Sequence, residues 1–315
     1  MPTTRYPRRG SLQYWPRKRA KKQTARVRHW ASVKDARLLG FAGYKAGMMD
    51  VQFIDTRKTS PTAKETLSVP CTVIECPPLR IFSIRFYKKT PYGLRLSSEI
   101  LNPKLDKSIS KKIKIPKKAS HKLPDSAEGY DDIKLNVYTQ PRLAGFGKKK
   151  PEIFQTGIGG SNVEEKLKLV KDLLDKEIHA SDVFKPGQLV DSHSITKGKG
   201  FQGPVKRFGV KIRSHKSEKA KRAAILAPEG YGKVTYTSPM PGKMGYHLRT
   251  EHNKWIIKIS DEAKGLKPFE SYGAVKNPYI LIKGSIGGPK KRLITLTEPI
   301  RPKKKLAMPA PTLKS

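Results

Sequence analysis

The chain has 315 residues, enough for one large or two small cores, and its 66 lysines and arginines against 26 acids give a net charge of +40. A free globular protein so charged repels itself, which excludes a self-sufficient chain and calls for a polyanionic partner. The hydrophobic share of 36% is low, yet strong local apolar runs exclude a wholly disordered tail, and none of them reaches the ~18 residues of a membrane span. The first residues lack the apolar core of a secretory signal, so a soluble, intracellular protein is expected.

Residues 1–34 are rich in arginine and lysine, with no acid until Asp35. Pro2, Pro7 and Pro16 break any early helix. Tyr6, Tyr14, Trp15, His29 and Trp30 interleave with the cations, which can neutralise phosphates while the aromatic faces stack on exposed bases.

From Ala36 the pattern changes. ARLLGFAGYKAGMMDVQFID reads as two short strands around Gly43 and Gly47, with Leu38, Leu39, Phe41, Val51 and Phe53 as core. Cys71 and Cys76, the only cysteines, lie in the strand-like CTVIEC. That spacing makes neither a disulfide framework nor a zinc ribbon, and packing is the expected role. In LRIFSIRFY, Phe82, Ile84 and Phe86 alternate with Ser83 and Arg85, as in a half-buried strand. Residues 102–124 are lysine-rich, with scattered isoleucines and prolines, and read as an exposed basic flap. KLNVYTQP (134–141) and EIFQTGI (152–158) read as strands.

Ser161 followed by Glu164 has the spacing of a capping box. It opens a helix whose stripe is Leu167, Val170, Leu174 and Ile178. Acids concentrate between Asp125 and Asp191, so this surface is expected to face solvent or protein rather than phosphate. FKPGQLVDSHSIT (184–196) returns to strand after a turn at Pro186-Gly187. WIIKI (255–259) and YILIKGSIGGPKKRLITLTEP close the globular part as further strands. Many short strands and one clear helix predict a mainly β protein, a β-barrel with inserted α+β material.

Between these strands lies Ser194–Arg222, with ten lysines and arginines against one acid, Glu218. It has almost no apolar periodicity, so it is expected not to bury itself and to need an outside partner. The free protein is expected to be partly disordered over 1–34 and 197–250. Gly198, Gly200, Gly203 and Val205 match G-x-G-x-x-G-x-V, but Pro204 and KRFGVKIR supply no helix for a dinucleotide site, and neither H-R-D nor D-F-G occurs for a kinase. Glycines that let backbone approach a phosphate ribbon, beside Lys197, Lys199, Lys206 and Arg207, fit better. His247 and His252 lack the spacing of a metal pair, and no nucleophile has a placed base, so an enzyme is not expected.

TKGKGFQGPVKRFGVK, GKMGYHLRTEHNK, FKPGQLVD and GPKKRLITLTEPIR resemble the universal large-subunit ribosomal protein L-three family in its archaeal form. PRRGSLQYWPRKRA and LLGFAGYKAGM fit it too, and the resemblance spans Pro7 to Arg301. It implies an elongation-factor-like barrel (36–195 with the inserted region, closed by 255–300). It also implies a basic N-terminal extension (1–35), a basic central extension (196–254) and a Pro-rich basic tail (301–315). The implied partner is 23S-type rRNA, bound early in subunit assembly, with the central extension running toward the peptidyl-transferase centre. Neighbouring proteins of the L-fourteen and L-twenty-four-e types are implied. No homo-oligomer, membrane or cofactor is implied, any Mg2+ belonging to the rRNA.

The expected rRNA contacts are Arg8, Arg9, Trp15, Arg17, Lys18, Arg19, Lys197, Lys199, Lys206, Arg207, Lys211, Arg213, His215, Arg222, Lys243, His247, Arg249 and Lys254. At the tip of the central extension the family carries a tryptophan; here Pro228, Glu229 and Tyr231 stand instead, so that role is not carried over. A general nucleic-acid packaging protein is the alternative, and the β core argues against it.

Overall fold

The computed structural model describes residues 7–57, 60–116, 123–124, 126–216, 232–263, 266–302 and 312–313. Two compact units emerge: Met1–Lys21 with Thr196–Leu248, and Lys22–Ile195 with Arg249–Ser315. In chain order the elements are β1 (Gly40–Ile54), β2 (Thr66–Glu75), β3 (Leu79–Thr90), β4 (Gly93–Leu101), β5 (Asp132–Thr139) and β6 (Ile153–Gly157). Helices α1 (Val163–Leu173) and α2 (Ala180–Val183) precede β7 (Leu189–Ile195). β8 (Phe201–Gln202), α3 (Pro204–Phe208) and β9 (Gly242–Lys243) follow, then β10 (Leu248–Ser260), β11 (Tyr279–Lys283), β12 (Leu293–Thr297) and β13 (Thr312–Leu313).

In the larger unit, β1, β2, β11, β10, β7 and β12 pair in that order, and an antiparallel β12–β1 ladder brings the sheet back on itself. Closure leaves these six strands without a free edge along the ring. β13 adds to the far end of β1, at Phe53 and Ile54. A second antiparallel sheet has the order β4-β3-β5-β6, with α1 against β5. One continuous apolar core serves both sheets, from Phe41, Phe53 and Ile74 to Leu135, Ile256 and Leu296.

The β1 segment is one strand of 15 residues rather than two. Its glycines mark close approach, not breaks. A Cβ on Gly43 would lie 2.6 Å from the Glu75 carbonyl, and one on Gly47 2.4 Å from the Phe269 ring. A register shift between Lys45 and Gly47 absorbs the irregularity. The core residues expected there, Leu38, Leu39, Phe41, Val51 and Phe53, are all buried. Cys71 and Cys76 are buried free thiols; burial pushes Cys71 up to about 11 and Cys76 further still.

Phe82 departs from the expected alternation. A bulge between Ile81 and Ser83 turns it to a separate cluster with Ile109 and Tyr138, while Ile84 and Phe86 stay in the main core. Ile109, fully buried, also corrects the reading of 102–124 as wholly exposed, although residues 117–122 lie outside the described part. Helix α1 forms as expected but begins after Asn162, without a side-chain cap, so the Ser161–Glu164 box is not made. Its stripe holds for Leu167 and Val170; Ile178 is buried beyond the helix, bridging to Leu79. β10 starts seven residues before WIIKI, at Leu248.

Strand β7 buries a run of polar side chains, Asp191 to Ser194. Asp191 accepts from the backbone N–H of Asn253 (2.8 Å) and of Ile300 (3.2 Å), and pairs with His252 Nδ1 at 2.8 Å. His193 contacts Thr250 Oγ1 (2.9 Å) and Thr297 Oγ1 (3.1 Å). Burial lowers its pKa to about 4, opposed by the Asp191 charge, and keeps the ring neutral at pH 7.

Candidate nucleic-acid interface

The smaller unit joins the first part of the basic N-terminal stretch to the central one. Its central part is an irregular two-stranded ribbon, Thr196–Gln202 against Gly242–His247. Thr196 N–H donates to His247 O (2.9 Å), Lys199 N–H to Met244 O (3.0 Å), and Met244 N–H to Gly200 O (2.8 Å). β8 pairs with β9 at its end. Gly245 has a φ of +75°, and a Cβ there would sit 2.2 Å from the Lys197 carbonyl, so only glycine lets the two backbones meet.

Past the ribbon, Gly203 caps α3, Pro204 takes its first position, and Gly209 ends it in the left-handed region with φ +71°. The expectation that no helix follows the glycines is corrected: proline is tolerated where the backbone N–H would have no helical partner. The helix is a single five-residue turn, not the long one a dinucleotide site needs.

Phe208 closes that turn and is buried. Trp15 stacks on it with ring centroids 5.0 Å apart and planes 16° off parallel. The guanidinium of Arg17 lies 4.3 Å from the Phe208 centroid and that of Arg207 5.0 Å, while Arg8 stands 5.9 Å from the Trp15 ring. Arg17 Nη1 donates to Arg207 O, Arg207 Nη1 to Met240 O (2.9 Å), and Arg8 Nη2 to Thr237 O (3.0 Å). Ala20 N–H donates to Tyr246 O (2.8 Å), His247 Nδ1 meets Lys18 O (2.8 Å), and Arg19 lies over Tyr246 at 4.8 Å.

Thus the basic stretch does bury part of itself, against expectation. No opposite charge is required, because weakly hydrated guanidinium planes are attracted to aromatic faces and carbonyl oxygens supply the remaining acceptors.

The arrangement sorts the expected contacts. Arg17 and Arg207 are half-buried, His247 is buried, and Trp15 offers one face to Phe208, so these four hold the unit together. Arg8, Arg9, Lys18, Arg19, Lys197, Lys199, Lys206, Lys211, Arg213, His215 and Lys243 are exposed. Arg249 and Lys254 belong to the larger unit, where Lys254 donates to Ser285 O (2.9 Å) and pairs with Glu251 (2.9 Å). Trp30, expected to stack on bases, packs in the larger unit over Gly40 and Gly157, where a Cβ would come within 2.9 and 2.7 Å of its ring. Arg222, Pro228, Glu229 and Tyr231 lie outside the described residues.

Among its described residues the smaller unit contains no Asp or Glu. A surface of exposed cations with no acid among the described residues of its unit suits a polyanion. Phe201 (70% exposed) and Tyr236 (81%) present aromatic rings beside those cations. Neither was singled out by sequence, since composition does not tell an exposed ring from a buried one. No described cluster of three or more His, Cys, Asp or Glu could hold a metal, and no helix among the described residues is long and apolar enough to cross a membrane.

The family model described as Ribosomal protein L3 matches residues 1–312. The large ribosomal subunit protein uL3 of Methanobrevibacter smithii is 44% identical over 312 residues, covering 95% of this chain and 93% of that one. Those of Methanosphaera stadtmanae and Archaeoglobus fulgidus are each 44% identical, over 94% and 95% of this chain and 92% and 93% of theirs. The chain belongs to the ribosomal protein L3 family.

Proposed function

We propose that the smaller unit is the part of this protein that grips large-subunit rRNA directly. Family membership makes the chain a structural constituent of the large ribosomal subunit in the cytoplasm, not an enzyme. The observation that carries the finer reading is the surface of exposed lysines and arginines with no acid among the unit's described residues. Phosphate neutralisation there releases counterions and fixes the register of the protein on folded RNA.

Around that contact we place the rest of the account: an elongation-factor-type barrel as the body, early binding during subunit assembly, and an arm directed toward the peptidyl-transferase centre. Neighbours of the L-fourteen and L-twenty-four-e types complete it. These follow from the family resemblance. The closed six-stranded sheet supports a defined body over a packaging protein, which needs no core of that size.

Salt dependence tests the contact. Lys197, Lys199 and Lys243 replaced together by alanine are expected to flatten the plot of log K against log salt by about two to three for large-subunit rRNA. An unchanged slope would place the phosphate contacts elsewhere.

A further inference from the structure

We propose that Phe201 is a stacking platform for one unpaired nucleobase of the bound RNA. This rests on the reading of the smaller unit as an RNA-binding surface and adds a recognition element to it. A phenylalanine 70% exposed gains little from burial in the protein, yet its backbone is paired across the ribbon. Phe201 pairs with Lys243 across the ribbon, the preceding Gly200 accepts from Met244 N–H at 2.8 Å, and α3 begins three residues later.

Directly paired residues of two antiparallel strands project on the same face with Cβ atoms about 5 Å apart. The side chains of Phe201 and Lys243, both exposed, therefore project from the same face of the ribbon. One offers a π face and the other a positive charge, the two features that a single nucleotide presents a need for through its base and its phosphate. Exposed Lys199 lies two residues away, and with no acid among the unit's described residues, an acidic RNA loop is favoured over a protein surface. Stacking is sequence-tolerant, so the ligand class is an unpaired base splayed out of a loop or bulge.

The test uses the full chain and in vitro transcribed large-subunit rRNA, with Phe201→Leu, which keeps an apolar side chain, and Phe201→Tyr, which keeps the π face. Phe201→Leu is expected to weaken binding about five- to hundredfold with an unchanged salt slope, and to make one unpaired nucleotide newly reactive to chemical probing. Phe201→Tyr is expected to bind as wild type. Wild-type binding by Phe201→Leu would overturn the assignment and leave the ring to another surface, such as a protein. A flattened slope would also overturn it, since the residue would then act through the cations. If the wild-type chain itself shows no salt-dependent affinity, the underlying RNA-binding reading fails, and the platform with it.

Discussion

Replacing Glu75 by alanine is expected to destabilise the larger unit by about 3–5 kcal/mol, because several donors would lose their acceptor at once. Glu75 ends β2 and is fully buried. One carboxylate oxygen accepts from the backbone N–H of Lys276 (2.9 Å) and of Asn277 (3.1 Å), and from Asn277 Nδ2 (2.8 Å). The other accepts from the Tyr272 hydroxyl, whose pKa is raised by burial and by the Glu75 charge.

Glu75 thereby fastens the turn that leads into β11, a strand of the closed sheet. Truncation leaves buried N–H and O–H groups without an acceptor, each costing about 1–3 kcal/mol. Glu75→Gln keeps one carbonyl acceptor and should lose less. Denaturant midpoints followed by Trp255 fluorescence measure this, and a loss under about 1 kcal/mol for the alanine variant would remove Glu75 from the account.

Phe208→Ala is the second large effect, expected to cost the smaller unit about 3–5 kcal/mol. The ring contacts Trp15, Arg17 and Arg207, and it approaches the backbone at Gly10, where a Cβ would fall 2.8 Å away. Without it the two chain segments of the unit lose their common apolar centre, and the guanidiniums lose the face that makes their proximity tolerable. Hydrogen exchange of the full chain reads this locally. Amides of 12–20, 201–209 and 243–247 should lose protection while β1 and β2 keep theirs. Equal protection in the variant would mean that RNA, not this ring, organises the segments.

The strands of the body were legible because burial writes period-2 patterns into sequence, as at Ile84–Tyr87. The helix at Val163–Leu173 was legible from its stripe. What sequence hid was contact between distant residues. Gly43 and Gly47 looked like breaks because Ile74 and Phe269, which occupy the space a side chain would need, are remote in the chain. Phe82 leaves the face of Ile84 and Phe86 because a bulge changes face without changing composition.

At the interface, the cations were plain in the sequence, but their division of labour was not. Trp15 and Phe208 are 193 positions apart, yet they stack, and Arg17 and Arg207 pack on the Phe208 ring while Lys199 and Lys243 are exposed. Charge density alone suggested disorder, because it counts repulsion and omits the affinity of guanidinium for aromatic faces.

Crosslinking this protein to RNA in cell extract, with both the peptide and the nucleotide read out, tests the central claim most directly. Crosslinks from residues 8–19 and 197–243 are expected to concentrate on large-subunit rRNA. Crosslinks from those residues scattered over unrelated RNAs, or crosslinks to large-subunit rRNA arising only from the larger unit, would contradict it.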